Sequence, residues 1–139
     1  MRIFHGTVKS GYGAATANLR PVLRLIELRM GMANLEEGTL NVQISENYIV
    51  IPTASILPDE YPLNFDTGLN ETIKLQRCVI GGHKAIIMRP DTHEKGMFHG
   101  PKHLELIGAL KFRQVLVLEN ESAVDVEVEG DDSWWAAAI

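Results

Sequence analysis

Cysteine is almost absent from the sequence, and Cys78 is the single one. One cysteine excludes an internal disulfide and every zinc or iron–sulfur site that needs several thiolates. Such sparing use of cysteine favours a reducing compartment. Because Cys78 falls within a strand pattern, we interpret it as a buried, inert thiol. No Gly-x-Ser-x-Gly elbow is present either, so a serine or cysteine hydrolase is disfavoured.

Long hydrophobic runs and an excess of positive charge are also lacking. No segment approaches the roughly eighteen apolar residues of a membrane span, and the N-terminal MRIFHGTVKSGYG has no apolar signal-peptide core. Thirteen basic residues against eighteen acidic ones give a net charge of −5, which disfavours binding to a nucleic-acid backbone. We therefore expect a cytoplasmic protein, with no nucleic acid and no membrane as partner. The net charge still allows a local basic groove for a phosphorylated small molecule.

The hydrophobic content is sufficient for one domain. The chain has 139 residues, of which 45% are hydrophobic, and this is enough for a single core. We expect a barrel domain over residues 1–130 and a C-terminal tail over residues 131–139. The role of Trp134 and Trp135 in that tail stays open, and so does the oligomeric state.

Short strands dominate the pattern of the sequence. Three segments alternate apolar and polar residues with period two, as half-buried strands do. Gly81-Gly82 joins two apolar runs and predicts a hairpin. The predicted strands cover residues 2–9, 39–44, 48–52, 73–80, 84–88, 103–108 and 123–129. Together with a single helix, they indicate a mainly β barrel or sandwich.

The helix is predicted between Pro21 and Gly31. Proline suits the first turn of a helix, and glycine suits its C-terminal end. The apolar residues at near-helical spacing in this segment are Val22, Leu25, Ile26 and Leu28.

A glycine-rich turn follows the first predicted strand. Its residues are Ser10, Gly11, Tyr12, Gly13, Ala14 and Ala15. Glycine lets backbone N–H groups approach phosphates closely. The turn has neither the Gly-Lys-Ser/Thr ending of a Walker loop nor a complete dinucleotide fingerprint. An ordinary strand-to-loop turn is the alternative.

Thr39 and Asn41 lie two residues apart in a predicted strand and therefore share one face. Their hydroxyl and carboxamide oxygens can converge on one ligand or hard cation. Mg²⁺ prefers such oxygen donors and commonly shares its coordination with substrate phosphates. The alternative is a half-exposed strand with a polar outer face.

Histidines raise the question of a transition-metal site. The four concerned are His83, His93, His99 and His103. Gly100-Pro101 opposes the helix that would align the last two. We therefore interpret these residues as solvated loop histidines.

Glu105 is predicted to share a strand face with His103. Its carboxylate either accepts hydrogen bonds from a ligand or is solvated. Lys111 and Arg113 follow and offer a local positive edge to phosphates. In the alternative, residues 109–118 form a short helix with the charges outside. The packed residues of that helix would be Leu110, Phe112, Val115 and Leu116.

Four segments in this order resemble the archaeal-type CTP-dependent riboflavin kinase family. GTVKSGYGAA resembles its first strand and glycine-rich nucleotide loop, and EEGTLNVQI resembles its Gly-Thr-Leu-Asn strand. MFHGPKHLELIGALKFRQVLVL and NESAVDVEVEG resemble the closing part of the family's domain. The resemblance covers about residues 3–130.

This resemblance implies both a fold and an activity. The fold is a single six-stranded cradle-loop β-barrel with a Greek-key-like crossing, one main helix and a short helical turn. The activity is transfer of the γ-phosphate of CTP to the ribityl 5′-hydroxyl of riboflavin, which gives FMN and CDP. Mg²⁺ is the implied cofactor.

The implied site residues fall into three groups. Thr39 and Asn41 match the family's Mg²⁺-binding residues, whereas Met97 and Glu105 occupy its flavin-binding positions. The implied nucleotide-binding positions are Gly11, Tyr12, Gly13, Ala14, Ala15, Leu110, Lys111, Phe112 and Arg113. No general base is assigned.

Several positions depart from the family pattern. Ala14 and Ala15 replace a glutamate and a glycine of the nucleotide loop, and Met97 replaces a flavin-contacting threonine. Glu37 replaces a proline, and residues 120–122 replace an Asp-Gly-Asp turn. These departures motivate an alternative, a non-catalytic flavin- or nucleotide-binding barrel of the same fold. A cradle-loop DNA-binding module is a third class, which the net charge of −5 disfavours.

Overall fold

A computed structural model of the protein describes residues 2–10, 20–61, 71–97 and 100–128. Its strands are β1 (Arg2–Lys9), β2 (Leu40–Ile44), β3 (Ala54–Ile56), β4 (Ile73–Ile80), β5 (His83–Pro90), β6 (His103–Ile107) and β7 (Ala123–Val128). Its helices are α1 (Leu23–Met30), α2 (Asp91–Glu94) and α3 (Phe112–Val115), and 3₁₀ turns cover Arg20–Val22 and Pro58–Glu60. None of the helices in these ranges is long and apolar enough to cross a bilayer. The predicted tail over residues 131–139 lies outside the described residues.

Six of the strands close into an antiparallel barrel. The order in the sheet is β3-β4-β5-β6-β2-β1-β7, and a further pairing of β4 with β7 closes the ring. All pairs are antiparallel, and β3 joins the outside of the ring through β4 alone. The expected mainly β, six-stranded barrel is therefore confirmed, with β3 as an additional strand.

The interior of the barrel is filled by alternate residues of its strands. Phe4 and Val8 of β1 are buried there together with Leu40, Val42 and Ile44 of β2. Gly6 lies between the first two, where a Cβ atom would come within 2.4 Å of Val42 Cγ1. At this point the inward face of β1 has room for nothing larger than a glycine, because β2 passes close to it.

A second apolar layer lies between the outside of the barrel and α1. Val22, Ile26 and Met30 are buried at helical spacing against outward residues of the strands, among them Leu75 and Ile86. With eight residues α1 is too short to be stable alone, so packing must hold it in place. As predicted, the helix ends at Gly31, which has a φ of 66°.

Two details of the sequence interpretation are wrong. Residues 48–52 are not a strand, because their backbone pairs with no neighbour in a ladder, although Tyr48 and Val50 are buried and Ile49 and Ile51 are exposed. Leu28 is 81% exposed and does not pack with the other apolar residues of α1. The buried stripe of this short helix runs instead through every fourth residue.

The predicted hairpin at Gly81-Gly82 is confirmed. β4 and β5 pair from Ile80 opposite His83, and the two turn glycines have φ values of 56° and 79°. A two-residue turn with both φ values positive twists in the same sense as the strands that it joins, and glycine adopts it without strain.

Candidate functional site

Asn41 and Glu105 lie side by side on the outer face of the barrel. β2 and β6 are antiparallel neighbours, and Asn41 lies directly opposite Glu105 in their register. Lys9 of β1 lies opposite Asn41 on its other side. Directly opposed residues of adjacent strands point to the same face. Lys9, Asn41 and Glu105 therefore form one row across three strands, which we call the outer-face row.

The residues of this row are less exposed than the alternation suggests. Asn41 is only 9% exposed and Glu105 only 7%, so the half-exposed polar face considered for β2 is wrong at Asn41. Thr39 precedes the strand and is partly buried, whereas Gln43 is exposed. Asn41 is buried because other parts of the chain pack on this face of β2. The alternation of apolar and polar residues along one strand does not report such packing.

Asn41 has a buried hydrogen-bond partner in His103. The ring Nε2 of His103 lies 2.8 Å from Asn41 Oδ1, and the histidine is 7% exposed. Because a carboxamide oxygen accepts and cannot donate, Nε2 carries the proton in this arrangement. The interpretation of His103 as a solvated loop residue is therefore wrong. It belongs to β6 and, as predicted, shares a face with Glu105.

The carboxyl group of Glu105 is poised between its two protonation states. Burial raises the pKa of Glu105 to about 7, and the Arg89 guanidinium opposes this shift. Oε1 lies 3.4 Å from Nδ1 of His93, a contact that is an ion pair only when the imidazole is protonated. His93 lies on α2 and its side chain is 14% exposed, so it too is not a solvated loop histidine. Near neutral pH, Glu105 can both donate and accept hydrogen bonds.

Buried Arg89 connects the elements that carry His93 and Glu105. It is 1% exposed and donates hydrogen bonds to the carbonyl oxygen of His103 at 2.9 Å and to Glu94 Oε2 at 2.7 Å. It also donates to the carbonyl oxygen of Tyr48 at 2.7 Å. One buried guanidinium thus ties α2 to the first residue of β6. Sequence reasoning missed this role, because nothing in the local pattern distinguishes Arg89 from an exposed arginine.

The predicted nucleotide-binding positions 110–113 lie near the end of β1. Arg113 Nη2 donates to the carbonyl oxygen of Lys9 at 3.3 Å and to Asn120 Oδ1 at 2.8 Å. Asn120 in turn donates to Ser10 Oγ at 2.8 Å. Arg113 is therefore held at the point where the chain leaves β1 for the glycine-rich turn. The turn residues Gly11, Tyr12, Gly13, Ala14 and Ala15 lie outside the described residues.

The other residues of positions 110–113 are exposed or buried according to their polarity. Lys111 is exposed, and Leu110 packs partly buried against the barrel core. Phe112 is 4% exposed and closes the barrel interior, where Gly108 leaves room for its ring. The helix is shorter than the alternative over residues 109–118, because α3 covers only Phe112–Val115. The charges lie outside as that alternative expected, but Val115 is 46% exposed.

Met97 and Cys78 occupy contrasting positions. Met97 is 52% exposed in the turn after α2, and its carbonyl oxygen accepts from the Gly100 N–H at 3.0 Å.

Cys78 is fully buried in the barrel interior, and burial raises the pKa of its thiol. The expected burial of Cys78 is confirmed, and such burial disfavours the reactive thiolate.

The oxygen atoms of the outer face suit a hard cation. Across the described segments, no group of three His, Cys, Asp or Glu residues could hold a metal ion. Thr39 and Asn41 offer a hydroxyl and a carboxamide oxygen, and these are donors that Mg²⁺ accepts. Asn41 Oδ1 already accepts one hydrogen bond, but a carbonyl oxygen has a second lone pair. The donor set therefore fits Mg²⁺ and does not fit a thiophilic metal.

The comparisons with known proteins add no relatives. The sequence matches no protein-family model, and no curated protein matches it.

Proposed function

We propose that this protein is a CTP-dependent riboflavin kinase-like phosphotransferase. It would transfer the γ-phosphate of CTP to riboflavin, giving FMN and CDP, and we propose that it does so in the cytoplasm. The single observation that carries the proposal is the opposition of Asn41 and Glu105 in the β2–β6 register. The family resemblance assigns these two residues to the metal and to the flavin. Such a reaction requires both ligands at one place.

Positive charge near the outer-face row supports the nucleotide side of the proposal. Lys9 lies next to Asn41 in the register, but its ammonium pairs with Glu121 Oε1 at 2.6 Å. The charge for phosphates would therefore come from the exposed Lys111 and from Arg113, which contacts the Lys9 backbone. Phosphoryl transfer requires mainly positioning and neutralisation of charge. Arg113 and Lys111 would bind phosphate oxygens, and arginine suits that role because its planar group donates two parallel hydrogen bonds.

Thr39, Asn41 and Glu105 would divide the binding of the metal and of the flavin between them. Thr39 and Asn41 would hold Mg²⁺, which supplies charge neutralisation on the phosphates when it is bound. Glu105 would orient the flavin, since a carboxyl group with a pKa of about 7 both donates and accepts hydrogen bonds. Burial of Asn41 and Glu105 strengthens their electrostatic interactions with a ligand.

A non-catalytic flavin- or nucleotide-binding barrel is the second candidate. The observation that favours it is the engagement of Asn41 Oδ1 by His103 at 2.8 Å, which leaves one lone pair for a cation. Such a protein would bind riboflavin or a cytidine nucleotide without forming FMN. Binding measured by flavin fluorescence, together with product analysis, distinguishes the two candidates.

The test is formation of FMN from riboflavin with CTP and Mg²⁺, with ATP in parallel. Thr39→Val keeps the shape of the side chain and removes the hydroxyl, and Asn41→Ala removes the carboxamide. Both variants should lose most Mg²⁺-dependent turnover. Gln43→Ala is the matched control, because Gln43 lies on the same face of β2 but is exposed. It should retain the wild-type rate.

Folding must be measured alongside activity. Asn41→Ala leaves the buried Nε2 of His103 without this acceptor, which we expect to lower stability by about 1–3 kcal/mol. Assays at low temperature keep the variant folded, and circular dichroism verifies that it is. If the wild-type protein forms no FMN with either nucleotide, the kinase proposal is wrong. If both variants turn over like the wild type, the assignment of the metal pair is wrong.

A further inference from the structure

The contact between His103 and Asn41 joins two buried polar groups across adjacent strands. In the β2–β6 register, Gln43 lies opposite His103 and Asn41 lies opposite Glu105. His103 and Asn41 are therefore diagonal neighbours on the outer face, a separation that longer side chains can bridge. The distance of 2.8 Å between Nε2 and Oδ1 is that of a good hydrogen bond.

This hydrogen bond fixes the orientation of the Asn41 carboxamide. Rotation about the terminal torsion of asparagine is broad and roughly two-fold, so the side chain alone does not decide which way its oxygen points. With the proton on Nε2, His103 holds Oδ1 towards the ring, whereas the other tautomer would accept from the amide nitrogen instead. The backbone of His103 is anchored, because its carbonyl oxygen accepts a 2.9 Å hydrogen bond from the buried Arg89, and the residue is only 7% exposed.

We propose that His103 is a positioning residue, which holds the Asn41 carboxamide in the orientation that binds the divalent cation of the magnesium–nucleotide complex. The inference rests on the proposed function, because it assumes that Asn41 is a cation ligand. His103 would act through the ligand and not touch the cation itself. Outer partners of this kind orient a ligating side chain and strengthen its donor atom.

The proposal predicts a specific loss of cation affinity. Removing such an outer partner typically weakens metal binding by about 10- to 100-fold. Binding of CDP without Mg²⁺ should be nearly unchanged, because that interaction does not use the Asn41 oxygen. A histidine with only a packing role would instead affect folding and both binding reactions alike.

The experiment is isothermal titration of the full chain with CDP, in the presence of MgCl₂ and in the presence of EDTA. His103→Leu removes the donor, and His103→Gln keeps a side-chain N–H that can reach Oδ1. Tyr48→Phe is the matched control, since it removes the buried hydrogen bond of 2.7 Å from Tyr48 to Gln76. If His103→Leu does not fold, His103→Met replaces it, because methionine fills irregular space without a donor.

We expect His103→Leu to lose at least 10-fold of the Mg²⁺-dependent CDP affinity, while His103→Gln recovers most of it and Tyr48→Phe loses none. Wild-type Mg²⁺ dependence in the donor-less variant would overturn the positioning role and leave the proposed function intact. Equal losses in the Leu and Gln variants would overturn it as well, because packing alone would then explain them. A wild-type protein whose CDP affinity does not respond to Mg²⁺ would refute the metal pair itself, and the positioning role with it.

Discussion

Glu105→Gln should remove a pH dependence of stability that its carboxyl group creates. Burial raises the pKa of Glu105 from an ordinary 4.5 to about 7 in the folded protein. Between these two values the folded chain holds one more proton than the unfolded chain, so unfolding becomes easier as the pH rises. At 1.36 kcal/mol per pH unit, the free energy of unfolding should fall by about 3 kcal/mol between pH 4.5 and 7 and then level off.

The glutamine variant is almost the same shape as the wild type and carries no titratable proton. Its free energy of unfolding should therefore lack this fall, and at pH 8 it should exceed the wild-type value by up to about 3 kcal/mol. Urea unfolding followed by circular dichroism at pH 5, 6, 7 and 8 measures both profiles. Glu119→Gln changes an exposed glutamate and should keep the wild-type profile. Identical profiles for wild type and Glu105→Gln would refute the reasoning.

Three further predictions concern Arg89, Gly6 and Cys78. Arg89→Met should lower the free energy of unfolding by about 3 kcal/mol, measured by urea titration. The nearly buried Glu94 carboxylate then loses the guanidinium at Oε2 and keeps Lys74 and the Val50 N–H, both at Oε1. Gly6→Ala should destabilise by about 1–3 kcal/mol, since its Cβ would meet a β2 side chain at 2.4 Å, whereas Gly38→Ala meets nothing within 4 Å and should be neutral in the same assay. Cys78, at 0% exposure, should react with a thiol reagent only after unfolding, and rapid labelling of the native protein would contradict its placement.

The elements that sequence reasoning predicted well are those with local causes. The Gly81-Gly82 turn requires positive φ values at both positions, which glycine adopts without strain. The end of α1 at Gly31 has the same cause. Residues 48–52 show the limit of the method, because alternation reports which side chains are buried and not whether the backbone pairs. Tyr48 and Val50 pack into the barrel although no neighbouring strand continues the ladder there.

The environment of the candidate site has non-local causes. Asn41 and Glu105 come together only because β2, near the start of the chain, pairs with β6. Both segments were singled out from the sequence, but neither segment alone states which strands are neighbours. His93 and His103 were misjudged for the same reason, whereas His99 lies outside the described residues. His103 and Asn41 are buried by elements that pack across the sheet, and a polar residue on a strand looks identical in sequence whether it faces water or a partner.

Burial changes what these polar residues can contribute to function. An exposed asparagine or glutamate competes with water for every ligand atom, and its orientation is averaged over several rotamers. Asn41 is held by His103, and His103 is held through its carbonyl oxygen by Arg89. The same arginine binds Glu94 and so fixes α2, which carries His93 next to Glu105. One buried guanidinium therefore contacts both the backbone of His103 and the helix of His93, the neighbours of Asn41 and Glu105. The burial and the hydrogen bonds of these two residues are properties of the fold and not of the strand that carries each of them.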